Sequence, residues 1–549
     1  MLPEAVVPAL AVAAVAIPVL YRRLQLSLAK SPSLQGHPRI ARRLARLVPF
    51  YDYTDAEFFR ADGAPADVVN RRRAGFQRLA STLGHASASA AATGRLEQGF
   101  SDAQFTKAYR VPFQFRRHVN EHFPAASMLA ESRGVTVTDL DGCVSYDLSG
   151  SYGVNVFGYD FYKDCIDAGI ERVRHLGPVL GAYHPLIQEN VDWLRSISGL
   201  DEVSFHMSGT EAVMQAVRLA RYHTGRSHLV RFAGAYHGWW DDVQPGVGNP
   251  QVPCHTYTLR EMDERTLRVL RGRSDIACVL VNPIQSLHPN RAAPADGTLL
   301  DSSRKANADR DRYAAWLREL RSVCSDKGIA LIFDDVFVGF RIALGGSQEY
   351  FGVRADLVTY GKTVGGGLPI GVLCGTRAFM RRFDDRRPSD ICFARGTFNA
   401  HPYVMAAMNE FLRHLTRPAV KAAYADIDTV WNARTARLNE ALATEQQPVR
   451  VANLGSIWTM NYTTPSRYNW MLQFYLRAEG LRLSWVGTGR LIFSHNFSDD
   501  DFRAVSSRIQ TAARRMNADG WWWRDPALTN RRIRSRIARE MVGALTRVR

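Results

Sequence analysis

The chain has 549 residues, of which 46% are apolar, and a formal net charge of +17. This length and apolar content allow a sizeable buried core and exclude a small single domain, so we expect a protein with several lobes. The seven cysteines are scattered, odd in number and never paired at metal-ligand spacing. They indicate reduced thiols in a cytosolic protein, and no metal site is predicted.

An uncharged run near the start of the sequence extends from Ala5 to Tyr21. Its 17 residues reach the lower limit for a membrane span, and Glu4 is the only charged residue before it, so the run lacks the basic leader of a secretory signal. Arg22 and Arg23 follow at once and would keep the rest of the chain cytoplasmic. We predict a membrane anchor here; a true span and an alanine-rich soluble helix with a proline kink are both kept as alternatives.

The net charge is concentrated at the two ends of the sequence, with seven basic and one acidic side chain in residues 1–50 and eight basic and two acidic in residues 521–549. Two stretches there combine arginines with apolar residues at helical spacing: Pro38 to Val48 and, after Trp521-Trp522-Trp523, Ile533 to Leu545. Basic amphipathic helices with tryptophan suit an anionic lipid surface. Nucleic acid is a less favoured partner because no nucleic-acid-binding motif accompanies the arginines. The alternative is a helix docked on the protein body.

Two segments before the middle of the chain are candidates for binding a phosphate and an aromatic ring. Met207-Ser208-Gly209-Thr210-Glu211-Ala212 precedes apolar residues at helical spacing, so Ser208 to Thr210 would cap a helix whose free amides favour a phosphate group. In Phe232-Ala233-Gly234-Ala235-Tyr236-His237-Gly238, Tyr236 could lie flat on a ring between two glycine turns. Taken singly, each segment also fits an ordinary helix cap or a packed aromatic residue.

Two apolar segments are predicted to be buried strands of a parallel sheet. Ala330-Leu331-Ile332-Phe333 ends at Asp334, and Leu357-Val358-Thr359-Tyr360 ends shortly before Lys362 and a glycine-rich turn. In open α/β sheets, ligands bind at the carboxyl ends of such strands. A carboxylate there can keep a pyridine nitrogen protonated, and a partly desolvated lysine can act as nucleophile and proton carrier. Together with the two upstream segments, Asp334 and Lys362 predict a site for pyridoxal 5'-phosphate (PLP).

On these motifs, the chain resembles class III aminotransferases of PLP fold type I, and among them the glutamate semialdehyde aminomutases. The similarity extends from about Gly134 to about Met516. Its most specific parts are Ser208 to Ala212, Tyr236-His237-Gly238, Gly339 to Gln348, and Gly361-Lys362 with its glycines. The resemblance implies an α/β fold: a large domain with a central, mostly parallel sheet and a small α+β domain. The N-terminal hydrophobic segment and the basic C-terminal helix are additions to it.

The same resemblance implies roles for further residues. Thr397, in Arg395-Gly396-Thr397-Phe398, matches the turn from which a threonine binds the PLP phosphate of the neighbouring subunit, which implies a homodimer. Ser151 and Tyr152 match positions that line the substrate pocket. Asn282 stands where this class commonly has an acid, which weakens the expectation that glutamate is the amino donor. Arg490 could bind a carboxylate or be a surface arginine, and we leave it outside the predicted site.

A second resemblance concerns the substrate. The segments Asn282 to Ser286 and Leu357 to Val372 are similar to the aminotransferase domains of lipopeptide synthetases, which aminate β-ketoacyl chains on a carrier protein; both segments also fit the aminomutases. We predict an enzyme that forms an imine through Lys362 and moves an amino group from an amino acid to a carbonyl group of an acyl or lipophilic substrate, free or carrier-bound. The alternatives are intramolecular transfer, as in a glutamate semialdehyde aminomutase, and a non-catalytic membrane scaffold.

The sequence also predicts how the chain is divided. Residues 290–312 are rich in charged residues, proline, glycine and serine, which predicts an exposed insertion before a helix around Tyr313 to Cys324. We expect the catalytic body to lie in the cytoplasm, at the inner face of a membrane. The predicted segments are 1–21 (hydrophobic anchor), 22–110 (basic helical extension), 111–175 (small domain, first part), 176–415 (large PLP-binding domain), 416–520 (small domain, second part) and 521–549 (Trp/Arg-rich amphipathic tail).

Overall fold

The computed structural model describes residues 6–32, 34–84, 87–109, 111–124, 128–244, 248–283, 302, 309–484 and 489–547. Most of the predicted insertion at 290–312 lies outside the described residues. The helix expected after it is observed, at Arg310–Lys327. It begins after Asp309, whose side chain accepts a hydrogen bond from the amide of Arg312 and so caps the first turn.

The helices are, in chain order, α1 (Val6–Ala29), α2 (Pro38–Leu47), α3 (Asp55–Arg60), α4 (Ala66–Leu83), α5 (Ala88–Glu97), α6 (Ser101–Tyr109), α7 (Arg116–His122), α8 (Tyr159–Val173), α9 (Leu186–Ser198), α10 (Gly209–Thr224), α11 (Glu264–Gly272), α12 (Arg310–Lys327), α13 (Gly346–Phe351), α14 (Arg377–Met380), α15 (Pro402–Leu415), α16 (Pro418–Ala425), α17 (Ile427–Thr444), α18 (Leu472–Ala478), α19 (Asp499–Ala518) and α20 (Asn530–Arg547).

The strands are β1 (Leu129–Arg133), β2 (Thr136–Asp139), β3 (Val144–Asp147), β4 (Glu202–His206), β5 (His228–Phe232), β6 (Thr256–Leu259), β7 (Ile276–Val281), β8 (Ala330–Asp334), β9 (Leu357–Gly361), β10 (Gly371–Gly375), β11 (Phe383–Asp384), β12 (Arg387–Ile391), β13 (Val449–Leu454), β14 (Ile457–Tyr462), β15 (Leu481–Arg482) and β16 (Arg490–Ile492).

A seven-stranded sheet in the order β4-β10-β9-β8-β7-β5-β6 forms the centre of the larger lobe. β9, β8, β7, β5 and β6 are parallel, and β10 is antiparallel to both of its neighbours. Apolar clusters cover both faces of this sheet, which explains why β7 and β8 are apolar along nearly their whole length. The predicted mostly parallel sheet is confirmed.

A second core lies around two smaller sheets, β1-β2-β3-β15 and β13-β14-β16. It contains apolar residues of α18 and α19, and α3 and α4 contribute Phe58, Phe59 and Phe76 to the same cluster. The N-terminal helices α3 and α4 therefore share their core with the smaller lobe.

The structure gives no support to the predicted membrane contact of the tail, because four of its large apolar residues are buried in the protein. Trp521, Trp522, Ile533 and Ile537 are at most 7% exposed. In α20, Glu540 accepts hydrogen bonds from side chains of the smaller lobe and of the segment before α3. The docked helix, which was the alternative, is the arrangement that the structure shows.

Residues 6–21 of the uncharged run lie in α1, which continues to Ala29. The C-terminal end of this helix docks on the larger lobe: the carbonyl oxygen of Ala29 accepts a hydrogen bond from the amide of Arg260 at 2.9 Å, and Ala29 is fully buried. Among the described residues, no helix has the length and apolarity needed to cross a membrane. The structure therefore gives no support to a true span, which was one of the alternatives for this run.

Candidate active site

A cavity of about 850 Å³ lies at the carboxyl ends of β8 and β9. Its walls come from both lobes, because β16 and the turn at Gly150–Gly153 also contribute residues. Seven of the predicted site residues line this cavity: Tyr152, Ser208, Gly209, Thr210, Tyr236, Asp334 and Lys362.

The start of α10 forms one end of the cavity. The hydroxyl of Ser208 accepts a hydrogen bond from the amide of Glu211 at 3.3 Å and caps the helix, as predicted. The amides of Gly209 and Thr210 belong to the first turn, where no helical carbonyl can accept their hydrogens. A Cβ atom on Gly238 would lie only 2.4 Å from the Thr210 hydroxyl, so this turn can approach the helix only with glycine. The arrangement suits an anion such as a phosphate group.

Asp334 ends β8 and is held in one orientation by three donors. Its Oδ2 atom accepts a hydrogen bond from Nδ1 of His237 at 2.7 Å. Its Oδ1 atom accepts from the amide of Val336 at 3.2 Å and from the hydroxyl of Thr359 at 3.4 Å. Thr359 is also the register partner of Asp334 on β9. Sequence analysis included His237 in a motif but gave it no role; the structure shows that it holds the carboxylate.

The adjacent acid, Asp335, does not line the cavity. It is fully buried and accepts hydrogen bonds from both the amide and the hydroxyl of Ser347 at the start of α13. Burial raises the pKa of Asp335 to about 7, partly offset by the bonds from Ser347. Of the two acids, only Asp334 therefore serves the cavity.

Lys362 follows β9 directly and enters the cavity from a strained backbone. Its φ of 51° lies in the left-handed region that residues other than glycine rarely adopt. Burial lowers the pKa of Lys362; the charge of Asp334 opposes this effect, and the charges of Arg341 and Arg490 add to it. A larger fraction of Lys362 is therefore neutral than of an exposed lysine. The neutral amine is the form that acts as nucleophile and base.

Together these features match one enzyme family. The family model "Aminotransferase class-III" matches residues 118–288 and 307–513, well over half of the chain. The chain belongs to this family. It is a PLP-dependent aminotransferase or aminomutase, and its fold is that of PLP-dependent transferases of type I.

Solved structures of the same fold are similar over most of their length. A transaminase with PLP bound is 26% identical, with a TM-score of 0.60, and the match covers 72% of this chain and 92% of that one. A β-phenylalanine aminotransferase from Variovorax paradoxus is 25% identical with a TM-score of 0.59, covering 78% and 97%. A glutamate-1-semialdehyde aminomutase from Pseudomonas aeruginosa PAO1 shares the fold at 19% identity and a TM-score of 0.65, covering 82% and 99%.

The residues of this aminotransferase fit PLP. The α10 amides would provide donors for its phosphate group, Asp334 a buried carboxylate for its ring nitrogen, and Lys362 the amine for its aldehyde. When bound, PLP supplies an electron sink that lets a proton leave the carbon bearing the amino group. Lys362, which lines the same cavity, would accept that proton and return it to another atom.

Arg490 lies in the same cavity, although sequence analysis left it outside the site. It begins β16, and burial lowers its pKa to about 10. Its Nε atom is buried and has no hydrogen-bond partner within the described part of the chain. The ring of Phe337 lies near both side chains, with its centroid 5.6 Å from Cζ of Arg490 and 5.5 Å from Nζ of Lys362. In the sequence, Arg490 simply follows Gly487-Thr488-Gly489, and this pattern does not indicate that its side chain lines the cavity.

The remaining predicted residues differ in how close they lie to the cavity. Tyr236 lines it, and its backbone oxygen accepts a hydrogen bond from Nδ2 of Asn282 at 3.1 Å. Tyr152 also lines it, whereas the hydroxyl of Ser151 is hydrogen-bonded to that of Tyr159 at 3.1 Å. Thr397 is exposed in a turn outside the cavity of its own chain. Its predicted role needs a second subunit.

Proposed function

We propose that this enzyme transfers an amino group from an amino acid to the carbonyl group of a lipophilic oxo acid. The observation that supports the proposal most strongly is the partly buried guanidinium of Arg490 in the cavity of Lys362, whose Nε atom is buried without a hydrogen-bond partner among the described residues. A buried cation is costly unless it is paired, and a substrate carboxylate would pair it through two parallel hydrogen bonds. Asn282 in the same cavity is neutral, so it does not compete with the substrate for this charge.

The rest of the cavity favours an apolar substrate body. Val154, Val213, Leu368, Ile370 and Ile492 contribute to its walls, as does the ring of Phe337. Burying the apolar part of a substrate against such walls contributes about 25 cal/mol per Å². The solved β-phenylalanine aminotransferase carries in its name a β-amino acid with an aromatic side chain, which supports the same chemical class.

In this proposal, the chemical tasks are divided among the site residues. Ser208, Gly209 and Thr210 bind the phosphate of PLP, and Tyr236 packs on its ring. Asp334, oriented by His237, keeps the ring nitrogen protonated. Lys362 holds the cofactor and moves the proton during each half of the transfer.

We also propose which residues contact the substrate, how the subunits assemble and where the enzyme meets its acceptor. Tyr152 contacts the substrate, and Ser151 positions the turn that carries Tyr152. The active enzyme is a homodimer in which Thr397 of one subunit reaches the PLP phosphate of the other. Because a lipophilic acceptor partitions into lipid, the enzyme works at a membrane surface.

A screen of carbonyl acceptors tests the proposed substrate class. The purified protein is loaded with pyridoxamine phosphate, and the return of the aldehyde absorbance is followed with each acceptor. We compare a medium-chain β-oxo acid, its methyl ester, the same chain as a carrier thioester, and glutamate 1-semialdehyde. We expect the free acid to react fastest, because only it offers both a carboxylate for Arg490 and an apolar body.

Two other outcomes would contradict the proposal in different ways. Faster reaction of the thioester would indicate a carrier-bound acyl substrate, for which Arg490 has no carboxylate to bind. Fast reaction of glutamate 1-semialdehyde alone would indicate the aminomutase, in which one molecule serves both halves of the transfer.

A further inference from the structure

Helix α1 exposes an apolar stripe although its C-terminal end is docked on the protein. Ile17, Leu20, Tyr21, Leu24 and Leu28 recur at helical spacing, and each is between 48% and 65% exposed. Near the C-terminal end of the helix, the opposite side packs on the larger lobe, where Leu26 and Ala29 meet its core. In the described chain, the stripe thus remains open to solvent.

Helix α2 repeats this feature. Ile40, Leu44 and Leu47 share one side of the helix, Val48 follows its last residue, and all four are between 44% and 65% exposed. Amphipathic helices of globular proteins normally bury their apolar side, yet here only Ala41 is buried. Two consecutive helices therefore present apolar stripes to the solvent, and such a surface indicates an interaction site.

The charge around these stripes has a single sign. Between Glu4 and Asp52 the sequence has no acidic residue, and its charged residues are Arg22, Arg23, Lys30, Arg39, Arg42, Arg43 and Arg46. Burial lowers the pKa of Lys30, and the nearby charge of Arg39 adds to this effect. The segment that carries both stripes thus combines exposed apolar side chains with charged side chains of cationic sign alone.

We propose that α1 and α2 bind in the plane of an anionic lipid bilayer, with their apolar stripes in the headgroup region and their arginines on lipid phosphates. A second copy of the chain fits this surface poorly, because a symmetric contact would place the arginine-rich surface against itself. Nucleic acid would satisfy the arginines but leave the leucines exposed.

The connection to the catalytic body is firm. Arg260 donates a hydrogen bond from its amide to the carbonyl oxygen of Ala29 and another, at 2.9 Å, from Nε to the carbonyl oxygen of Lys30. The adjacent turn is also tight, since a Cβ atom on Gly36 would lie 2.4 Å from the carbonyl oxygen of Ser31. Bilayer contact through α1 and α2 would therefore hold the catalytic body at the lipid surface, where the proposed acceptor is concentrated. The delivery of the enzyme to its acceptor rests on the proposed function, whereas the lipid contact itself does not.

Sedimentation with vesicles tests the inference on the full-length, PLP-loaded protein. Vesicles of phosphatidylcholine alone are compared with vesicles that also contain phosphatidylglycerol. We expect binding to the anionic vesicles and a loss of about tenfold or more in partitioning for the double variant Leu20→Glu/Leu24→Glu, which removes two apolar side chains from the bilayer. Arg42→Gln/Arg43→Gln should weaken binding in a way that depends on salt.

The matched control is Leu545→Glu in α20, which changes a leucine that is 47% exposed on another arginine-rich helix. The inference is wrong if the wild type does not bind anionic vesicles, or if the control loses as much binding as the double variant. It is also wrong if Leu20→Glu/Leu24→Glu dissociates the dimer in light scattering, because a second copy would then cover the stripe. Aminotransfer to a soluble acceptor should be unchanged in the double variant, so a failed substrate screen and a failed vesicle assay are distinguishable.

Discussion

Lys362 combines an unusual backbone, a lowered pKa and a position at the carboxyl end of β9. We expect Lys362→Ala to reduce turnover by ~10²-fold or more, because the variant lacks the side chain that moves the proton. It should also abolish the covalent attachment of PLP that borohydride makes permanent. Peptide mass spectrometry of the reduced wild type should find the added mass on Lys362.

Lys421→Ala is the matched control, because Lys421 is an exposed lysine on α16. This variant should keep both activity and attachment. A reduced adduct on Lys421, or on any lysine other than Lys362, would contradict the assignment.

A second prediction at the level of single residues concerns Arg490. Arg490→Met keeps an unbranched side chain of similar reach but removes the charge, so we expect the KM for an oxo acid to rise by about tenfold or more, since hydrogen bonds to charged groups contribute about 1.5–3 kcal/mol. The corresponding methyl ester should be used equally well by wild type and variant. An equal loss on acid and ester would show that Arg490 supports the structure rather than the substrate.

The residues that sequence analysis found and those it missed differ in a physical way. Asp334 and Lys362 could be predicted because each directly follows an apolar strand, and strand ends determine where a ligand lies. His237 and Phe337 could not, because their roles depend on what they face across the cavity: the Asp334 carboxylate for one, two cationic side chains for the other. Arg490 was left undecided for the same reason, since it faces Phe337 of the other lobe.

Among the elements, α20 shows how a buried ion pair fixes a terminal helix. Glu540 pairs with Arg467 at 2.7 Å and accepts a hydrogen bond from the hydroxyl of Tyr53 at 2.6 Å. The side chain of Arg467 is fully buried. We expect Glu540→Gln to destabilise the protein by about 3 kcal/mol, because the buried guanidinium loses its counter-charge. Thermal unfolding measures this effect, and Glu131→Gln on exposed β1 is the control.

The same pair predicts a dependence on pH. Burial alone would raise the pKa of Glu540, but the hydrogen bond and charge of Arg467 outweigh it, so the pKa lies below its ordinary value of 4.5. A carboxyl group with a lowered pKa stabilises the folded state above its unfolded pKa and loses that contribution as the pH falls through the folded pKa. The difference in stability between wild type and Glu540→Gln should therefore be full at pH 7 and shrink below pH 4.5. A constant difference across this range would contradict the ion-pair explanation.

Helical spacing predicted α2 and α20 equally well, yet their apolar sides have opposite surroundings. Ile533 and Ile537 in α20 are buried, whereas Leu44 and Leu47 in α2 are exposed. Periodicity identifies the apolar side of a helix but not what covers it, because that depends on contacts with distant parts of the chain. For α20 those contacts come from segments some 70 and some 490 residues earlier in the sequence.

At the scale of the whole molecule, the exposed turn that contains Thr397 allows the predicted dimer to be tested. Thr397 does not line the cavity of its own chain, whereas Ser208 and Gly209 do. If its hydroxyl binds the PLP phosphate of a second subunit, Thr397→Ala should weaken PLP binding by about tenfold, the contribution of one hydrogen bond to a charged group. Light scattering of the wild type should show a dimer.

Mixed dimers test whether Thr397 acts across the interface. Subunits with Lys362→Ala are combined with subunits that carry Thr397→Ala, and both parent proteins are assayed at a PLP concentration that leaves Thr397→Ala largely unloaded. In a mixed dimer, the Thr397→Ala subunit keeps its own Lys362 and receives an intact Thr397 from its partner, so one complete site forms and activity should rise above that of either parent. If Thr397 serves its own subunit, no complete site forms and activity does not rise. A wild type that remains monomeric at the assay concentration would contradict the dimer itself.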